Sequence, residues 1–255
     1  MPRYALKLEY DGTGFVGWQR QDNGLSIQQV LEGAASRLAG GAPVESIVAG
    51  RTDAGVHAQG QVANIDLPTD FAPITVREAL NFHMKPHRVV VLQAAAVAPD
   101  WNARFAATGR SYRFRILNRR ARPALLAGQV WHVQKPLDAA AMHMAAQSLL
   151  GRHDFTSFRA AACQAKTPWR TVDRLDVTRD GDMLEIVAEA RSFLHHMVRN
   201  FVGTLKLVGE GSWPASHVAD VLAARDRSIA GPTAPSVGLC MTGVQYPVDP
   251  FLVGG

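Results

Sequence analysis

AGRTDAGVHAQGQ, residues 49–61, sets Arg51, Thr52 and Asp53 between two glycines, then adds His57 and a second Gly/Gln pair. Its glycines and charges read as a loop. Apolar segments on both sides, residues 46–49 and 61–67, read as strands, so the loop joins core elements. Loops that carry several polar residues in fixed order on a rigid scaffold are where proteins present their chemistry. Arg51 next to Asp53 favours an ionised carboxylate. The same Asp53 reads equally as a turn residue whose side chain closes local backbone.

Upstream of the loop, residues 4–10 alternate apolar and polar and form a half-buried strand. Gly12-Thr13-Gly14-Phe15-Val16-Gly17 follows and matches the GxGxxG dinucleotide fingerprint, which raises a nicotinamide or flavin oxidoreductase as a rival function. A phosphate-binding glycine turn must open directly into a helix, whereas residues 18–24 intervene here. The helix begins at Ser26: Ser26 and Gln29 approach a capping box, and Val30, Leu31, Ala34, Ala35 and Leu38 recur at helical spacing. Downstream of the loop, Pro68 and Pro73 frame a turn, residues 75–82 form a helix, and residues 88–97 are apolar enough to make a buried strand. Strand, helix, two strands, helix, strand is a ferredoxin-like order.

Residues 99–106 link this half to a second alternation. A strand at 110–117 and a helix at 138–150 are followed by a hairpin, 170–178 with 183–190, around Asp180-Gly181. Helices at 194–208 and 215–224 and a strand at 239–244 complete it. The expected fold class is α+β: two ferredoxin-like, RNP-like αβ sandwich subdomains with mostly antiparallel sheets, residues 1–104 and 105–255.

Composition narrows the partners. The chain has 255 residues, 47% of them hydrophobic, enough to bury a sizeable core. Lys and Arg exceed Asp and Glu by five, and the isoelectric point is near 9.6, which fits a polyanion such as nucleic acid. Cys163 and Cys240 give neither a disulfide framework nor a zinc spacing, so the reducing cytoplasm is the expected compartment. Residues 1–12 lack the apolar core of a signal peptide, and no run approaches the roughly 18 apolar residues of a membrane helix. His195 and His196, as neighbours on a helix, would point apart, so no metal is expected there. Zinc deaminases need H-x-E and P-C-x-x-C, and neither is present.

GRTDAGVHA, residues 50–58, resembles the signature of the TruA family of tRNA pseudouridine synthases. The resemblance recurs in order: Asp11-Gly12 with Phe15, Gly17, Trp18 and Gln19; Ser26-Ile27-Gln28; Arg110-Ser111-Tyr112-Arg113-Phe114. It continues through residues 151–158 with Cys163, and through Phe193, His195, His196, Arg199 and Asn200 to Gly203. It implies that Asp53 is the catalytic nucleophile, that Tyr112 packs on the target base, and that Arg199 pairs with Asp53. A homodimer, a tRNA substrate gripped at its anticodon stem-loop, and an active-site cleft between the two halves are implied as well. Phe114 stands where many members have a second Tyr, and Cys240 where an aromatic is common.

Uridine becomes pseudouridine when the N1–C1′ bond breaks, the uracil turns and C5 joins C1′, with no redox change and no cofactor. The reaction needs a carboxylate that can attack or stabilise the sugar, or deprotonate it, much as glycosidases use carboxylates. The sequence does not decide whether Asp53 attacks the base, attacks the sugar or acts as a base toward C2′. Arg51 and Arg199 would orient Asp53, and Tyr112 would stack on the uracil. Arg113, Arg115, Arg119, Arg120 and Arg122 form the densest basic stretch. With Tyr112 and His57, Arg113, Arg115 and Arg119 are the candidate substrate contacts, holding phosphates without reading sequence. A charged strand edge that resists aggregation explains the same arginines. A non-catalytic RNA-binding module of this fold is the other rival.

Overall fold

The computed structural model describes residues 1–252, among which ten strands and five α-helices occur. The chain groups into two compact units, Met1–Arg110 with the C-terminal stretch from Cys240, and Ser111–Leu239.

The first unit contains β1 (Arg3–Tyr10), α1 (Ile27–Leu38), β2 (Ser46–Val48), β3 (His57–Asp66), α2 (Pro73–His83) and β4 (Val89–Val97). β1 lies antiparallel between β3 and β4, with Leu6 opposite Ala63 on one side and Ala94 on the other. Tyr4, Ala5, Leu6 and Leu8 are consequently buried completely. β2 pairs antiparallel with β3. In α1 the capping box is complete: Ser26 Oγ accepts from the Gln29 amide at 3.2 Å, and Gln29 Oε1 accepts from the Ser26 amide at 2.9 Å. Ile27, Val30, Leu31, Ala34 and Ala35 form its buried face, as the spacing requires. Pro73 opens α2 instead of framing the preceding turn, since its missing N–H costs nothing in a first helical turn.

The expectation of a buried strand at 88–97 is corrected. β4 ends the strand order β4-β1-β3, and Val90, Leu92, Gln93 and Ala96 are exposed. Aliphatic composition does not separate a central strand from an edge strand, because that depends on how many neighbours the strand finds.

The second unit contains β5 (Gly109–Asn118), β6 (Trp131–Val133), α3 (Ala139–Gln147), β7 (Gly151–Asp154), β8 (Trp169–Asp180), β9 (Met183–Ala190), α4 (Met197–Gly209) and α5 (His217–Ala224). Its strand order is β5-β9-β8-β7, with β6 parallel to β5. The β8–β9 hairpin closes with Asp180 opposite Met183, so its two loop residues are Gly181, at a φ of 54°, and Asp182, one residue later than a turn centred on Asp180-Gly181. Phe155, Phe158 and Phe201 meet edge to face at 4.9–6.3 Å and fill the core beneath α4. The helix expected from residue 194 starts at Met197; His196 takes a left-handed φ of 63°, which a helix cannot contain. The premise that His195 and His196 share a helix is therefore wrong.

β10 (Leu239–Gln245) pairs parallel with β3, Cys240 opposite His57 and Met241 opposite Ala58. This pairing draws β3 back to His57, four residues earlier than the expected strand start. Among the described residues no helix is long and apolar enough to cross a membrane.

Candidate active site

The loop between β2 and β3 is anchored first at its entry. Ala49 is buried with Val62 and Ala103, against Trp101, Val244, Tyr246 and Phe251. The guanidinium of Arg110, itself 8% exposed, donates to the Ala49 carbonyl from NH2 at 2.7 Å and to the Arg104 carbonyl at 2.9 Å. Gln61, fully buried, reaches back across the loop and donates from Nε2 to the Gly50 carbonyl at 2.7 Å. A charged group spent on backbone carbonyls in the interior fixes them firmly, since either side alone would be an unsatisfied buried polar group.

The next residues hang from β1. Tyr10 OH lies 2.8 Å from Thr52 Oγ1, either hydroxyl able to donate, and accepts from Gln61 Nε2 at 3.3 Å. Burial pushes the Tyr10 phenol up to about 12, and it remains neutral. The Thr52 carbonyl accepts from the Trp18 amide at 3.0 Å, the Val56 amide returns to the Asp53 carbonyl at 3.1 Å, and the Gly55 amide donates to the Phe15 carbonyl at 3.3 Å. Asp53 thus sits on a turn pinned on both sides, its side chain half-buried between the exposed Arg51 and Ala54.

The glycine-rich segment after β1 makes this packing possible. A Cβ on Gly17 would stand 2.6 Å from the Thr52 carbonyl oxygen, and one on Gly12 2.1 Å from that of Val56. Only glycine lets the two backbones approach so closely. No helix opens before Ile27, so the GxGxxG match is a cradle for the Asp53 turn, not for a pyrophosphate.

His57 is 9% exposed, and its Nδ1 lies 3.1 Å from both the Gly12 amide and Asp11 Oδ1. One ring nitrogen can accept from the amide or donate to the carboxylate, not both. Burial alone would raise the Asp11 carboxyl, but bonds from Thr13 and the charges of His57 and Arg88 outweigh it and hold Asp11 below its ordinary range.

The remaining sequence candidates lie in the second unit. Tyr112 on β5 is 9% exposed and meets Phe193 edge to face at 5.3 Å. Arg113 and Arg115 share Glu185, at 3.8 and 3.0 Å, and Arg119 pairs with Asp182 at 3.5 Å. Arg199 on α4 donates from Nε to the Ala234 carbonyl at 2.8 Å, while its own carbonyl accepts from the Ala234 amide at 3.1 Å. His195 and His196 stack at 4.0 Å just ahead of that helix. Sequence reasoning missed Tyr10, Gln61 and Arg110, the residues that brace the loop. The first ends a strand, the second follows the loop glycines, and neither carries a chemical signal apart from its fold.

A family model described as tRNA pseudouridine synthase matches residues 7–106 and 145–247. The chain is 69% identical over 252 residues to tRNA pseudouridine synthase A of Acidiphilium cryptum (strain JF-5), covering 98% of this chain and 99% of that protein. It is 57% identical over 252 residues to the protein of that name from Gluconobacter oxydans (strain 621H), covering 98% and 91%. With that of Rhodospirillum centenum (strain ATCC 51521 / SW), identity is 60% over 246 residues, covering 96% and 100%.

Proposed function

The chain belongs to the tRNA pseudouridine synthase family, and from that premise we propose that it isomerises uridine in the anticodon stem-loop of tRNA with Asp53 as nucleophile. The observation that carries the residue assignment is the Asp53 turn. Its backbone is pinned to Trp18 and Phe15 through Thr52 and Gly55, and the Thr52 side chain to Tyr10, while Asp53 stays half-buried. Positioned carboxylates of this kind serve glycosyl chemistry because the sugar carbon gains positive charge as its bond to the base breaks.

The uridine must leave its stack to reach such a group. Asp53 attacks C1′ as the N1–C1′ bond breaks, the uracil turns, C5 displaces the carboxylate from C1′, and the C5 proton passes to solvent while N1 takes one up. Arg51 and Arg199 orient the carboxylate, Tyr112 packs on the uracil, and Arg113, Arg115 and Arg119 hold phosphates. His57 serves the substrate from beneath, by fixing the Asp11-Gly12 turn against the loop. Two ferredoxin-like subdomains, a homodimer and a cytoplasmic location complete the reading, and sedimentation at micromolar concentration checks the dimer.

The test is tritium release from tRNA labelled at C5 of uridine. Asp53→Asn is expected to lose turnover by at least about a thousandfold while binding tRNA nearly as tightly, because phosphate contacts supply most of the affinity. Turnover by the variant at the native rate would sink the role of Asp53. Loss of folding together with binding would instead mark Asp53 as a turn residue.

A further inference from the structure

A cavity of about 260 Å³ opens in the first unit, lined by Thr13, Phe15, Leu25, Pro86, His87 and Arg88 among others. None of these side chains takes part in the chemistry assigned above. The rings of Phe15 and His87 stand 6.3 Å apart at 62°, forming a corner instead of a slot. A flat heterocycle laid on one ring meets the other edge-on, and both arrangements are attractive. At the rim, Arg88 is bonded through NH1 to Asp11, and its side chain is 73% exposed, so much of the guanidinium faces solvent. The pair neutralises Asp11, which would otherwise repel an anion, and leaves a planar fork suited to phosphate. Lys85 is exposed beside it.

The cavity shares a wall with the Asp53 turn, because the Phe15 carbonyl accepts from the amide of Gly55, two residues beyond Asp53. Extruding one nucleotide unstacks its neighbours, and aromatic faces recover stacking for bases of any kind. The space is smaller than that of typical sites for drug-sized ligands and is of a size for one base.

We propose that this cavity receives an unstacked base of the RNA substrate next to the reacting uridine, with the adjoining phosphate on Arg88. The inference rests on the RNA-modifying reading above. Capture of a second base there stabilises the flipped substrate without touching the reacting atoms.

Full-length protein, irradiated with a tRNA transcript containing 4-thiouridine, is expected to crosslink within residues 13–15 or 86–88. Thr13→Trp, which fills the cavity from its exposed rim, and His87→Ala should each raise KM for tRNA roughly fivefold or more, with kcat within about twofold. Arg88→Gln should lower the salt dependence of binding by about one unit of slope. Native KM in both Thr13→Trp and His87→Ala, with both proteins folded, overturns the proposal while leaving the reaction intact. Absence of tritium release from the native chain sinks the reaction reading instead, and the crosslink then judges the cavity by itself. Displacement of the crosslink by uridine 5′-monophosphate at equal concentration would point to a free-nucleotide site and against an RNA subsite.

Discussion

Gly17 and Tyr10 show how single residues set the position of Asp53. Gly17 has a φ of 107°, and a side chain there would meet the Thr52 carbonyl at 2.6 Å, so Gly17→Ala carries two penalties. It should cost at least about 2 kcal/mol in denaturant unfolding and slow tritium release, because the Asp53 turn must shift. Gly14, at a φ of 83° with nothing near its missing Cβ, is the control: Gly14→Ala should cost only about 1–2 kcal/mol, from backbone strain alone. Tyr10 makes a pH prediction. Its phenol is raised from 10.0 to about 12 by burial, so between those values the unfolded chain loses the proton while the folded one keeps it. Stability is fully present below pH 10 and falls as pH rises through that window. Half-buried Tyr246 is raised as well, chiefly by desolvation, and contributes in the same direction. Tyr10→Phe should flatten part of the alkaline slope in urea titrations and, by stranding Thr52 Oγ1, cost about 1–3 kcal/mol at neutral pH. Asp53, Tyr112 and Arg199 could be proposed from sequence because each sits inside a motif of consecutive residues. Arg110 was legible only as part of a motif, since its work on the Ala49 and Arg104 carbonyls depends on residues more than fifty positions away or across a turn.

Elements were readable where local rules govern them. The Ser26–Gln29 capping box formed as the residues predict, and Ser26→Ala should cost about 1 kcal/mol and lower Tm by roughly 2–4 °C, measured by circular dichroism on melting. The β8–β9 hairpin was readable from its turn residues, with the loop falling on Gly181-Asp182. Elements misread were those whose ends depend on distant neighbours. β3 extends to His57 because β10 pairs with it there, and β4 is half exposed because it borders only β1 in the strand order. α4 begins late because His196 adopts a left-handed conformation, which composition does not encode.

At the scale of the molecule, the excess of five positive charges argues for a polyanionic substrate, and family membership supplies tRNA as that substrate. Glu185 compensates Arg113 and Arg115 together, so the net charge of this stretch is smaller than the arginines alone suggest. Asp182 offsets Arg119 likewise, so replacing Arg113, Arg115 and Arg119 with Gln should reduce the slope of log affinity for tRNA against log salt by about 1, not 3, in filter-binding titrations. A slope unchanged by all three substitutions would remove them from the RNA-binding surface. The sequence by itself determined most element types, the helix cap and the family, and it singled out Asp53 as the carboxylate proposed to react, because propensity, turn chemistry and contiguous motifs act over a few residues. Only the tertiary structure decided that β10 returns from the far end of the chain to β3, that Gly12 and Gly17 seat the Asp53 turn, and that Phe15 and His87 wall a cavity beside it. Those outcomes depend on which distant backbones pack together, and close approach between remote segments leaves no periodic mark in the chain that makes it.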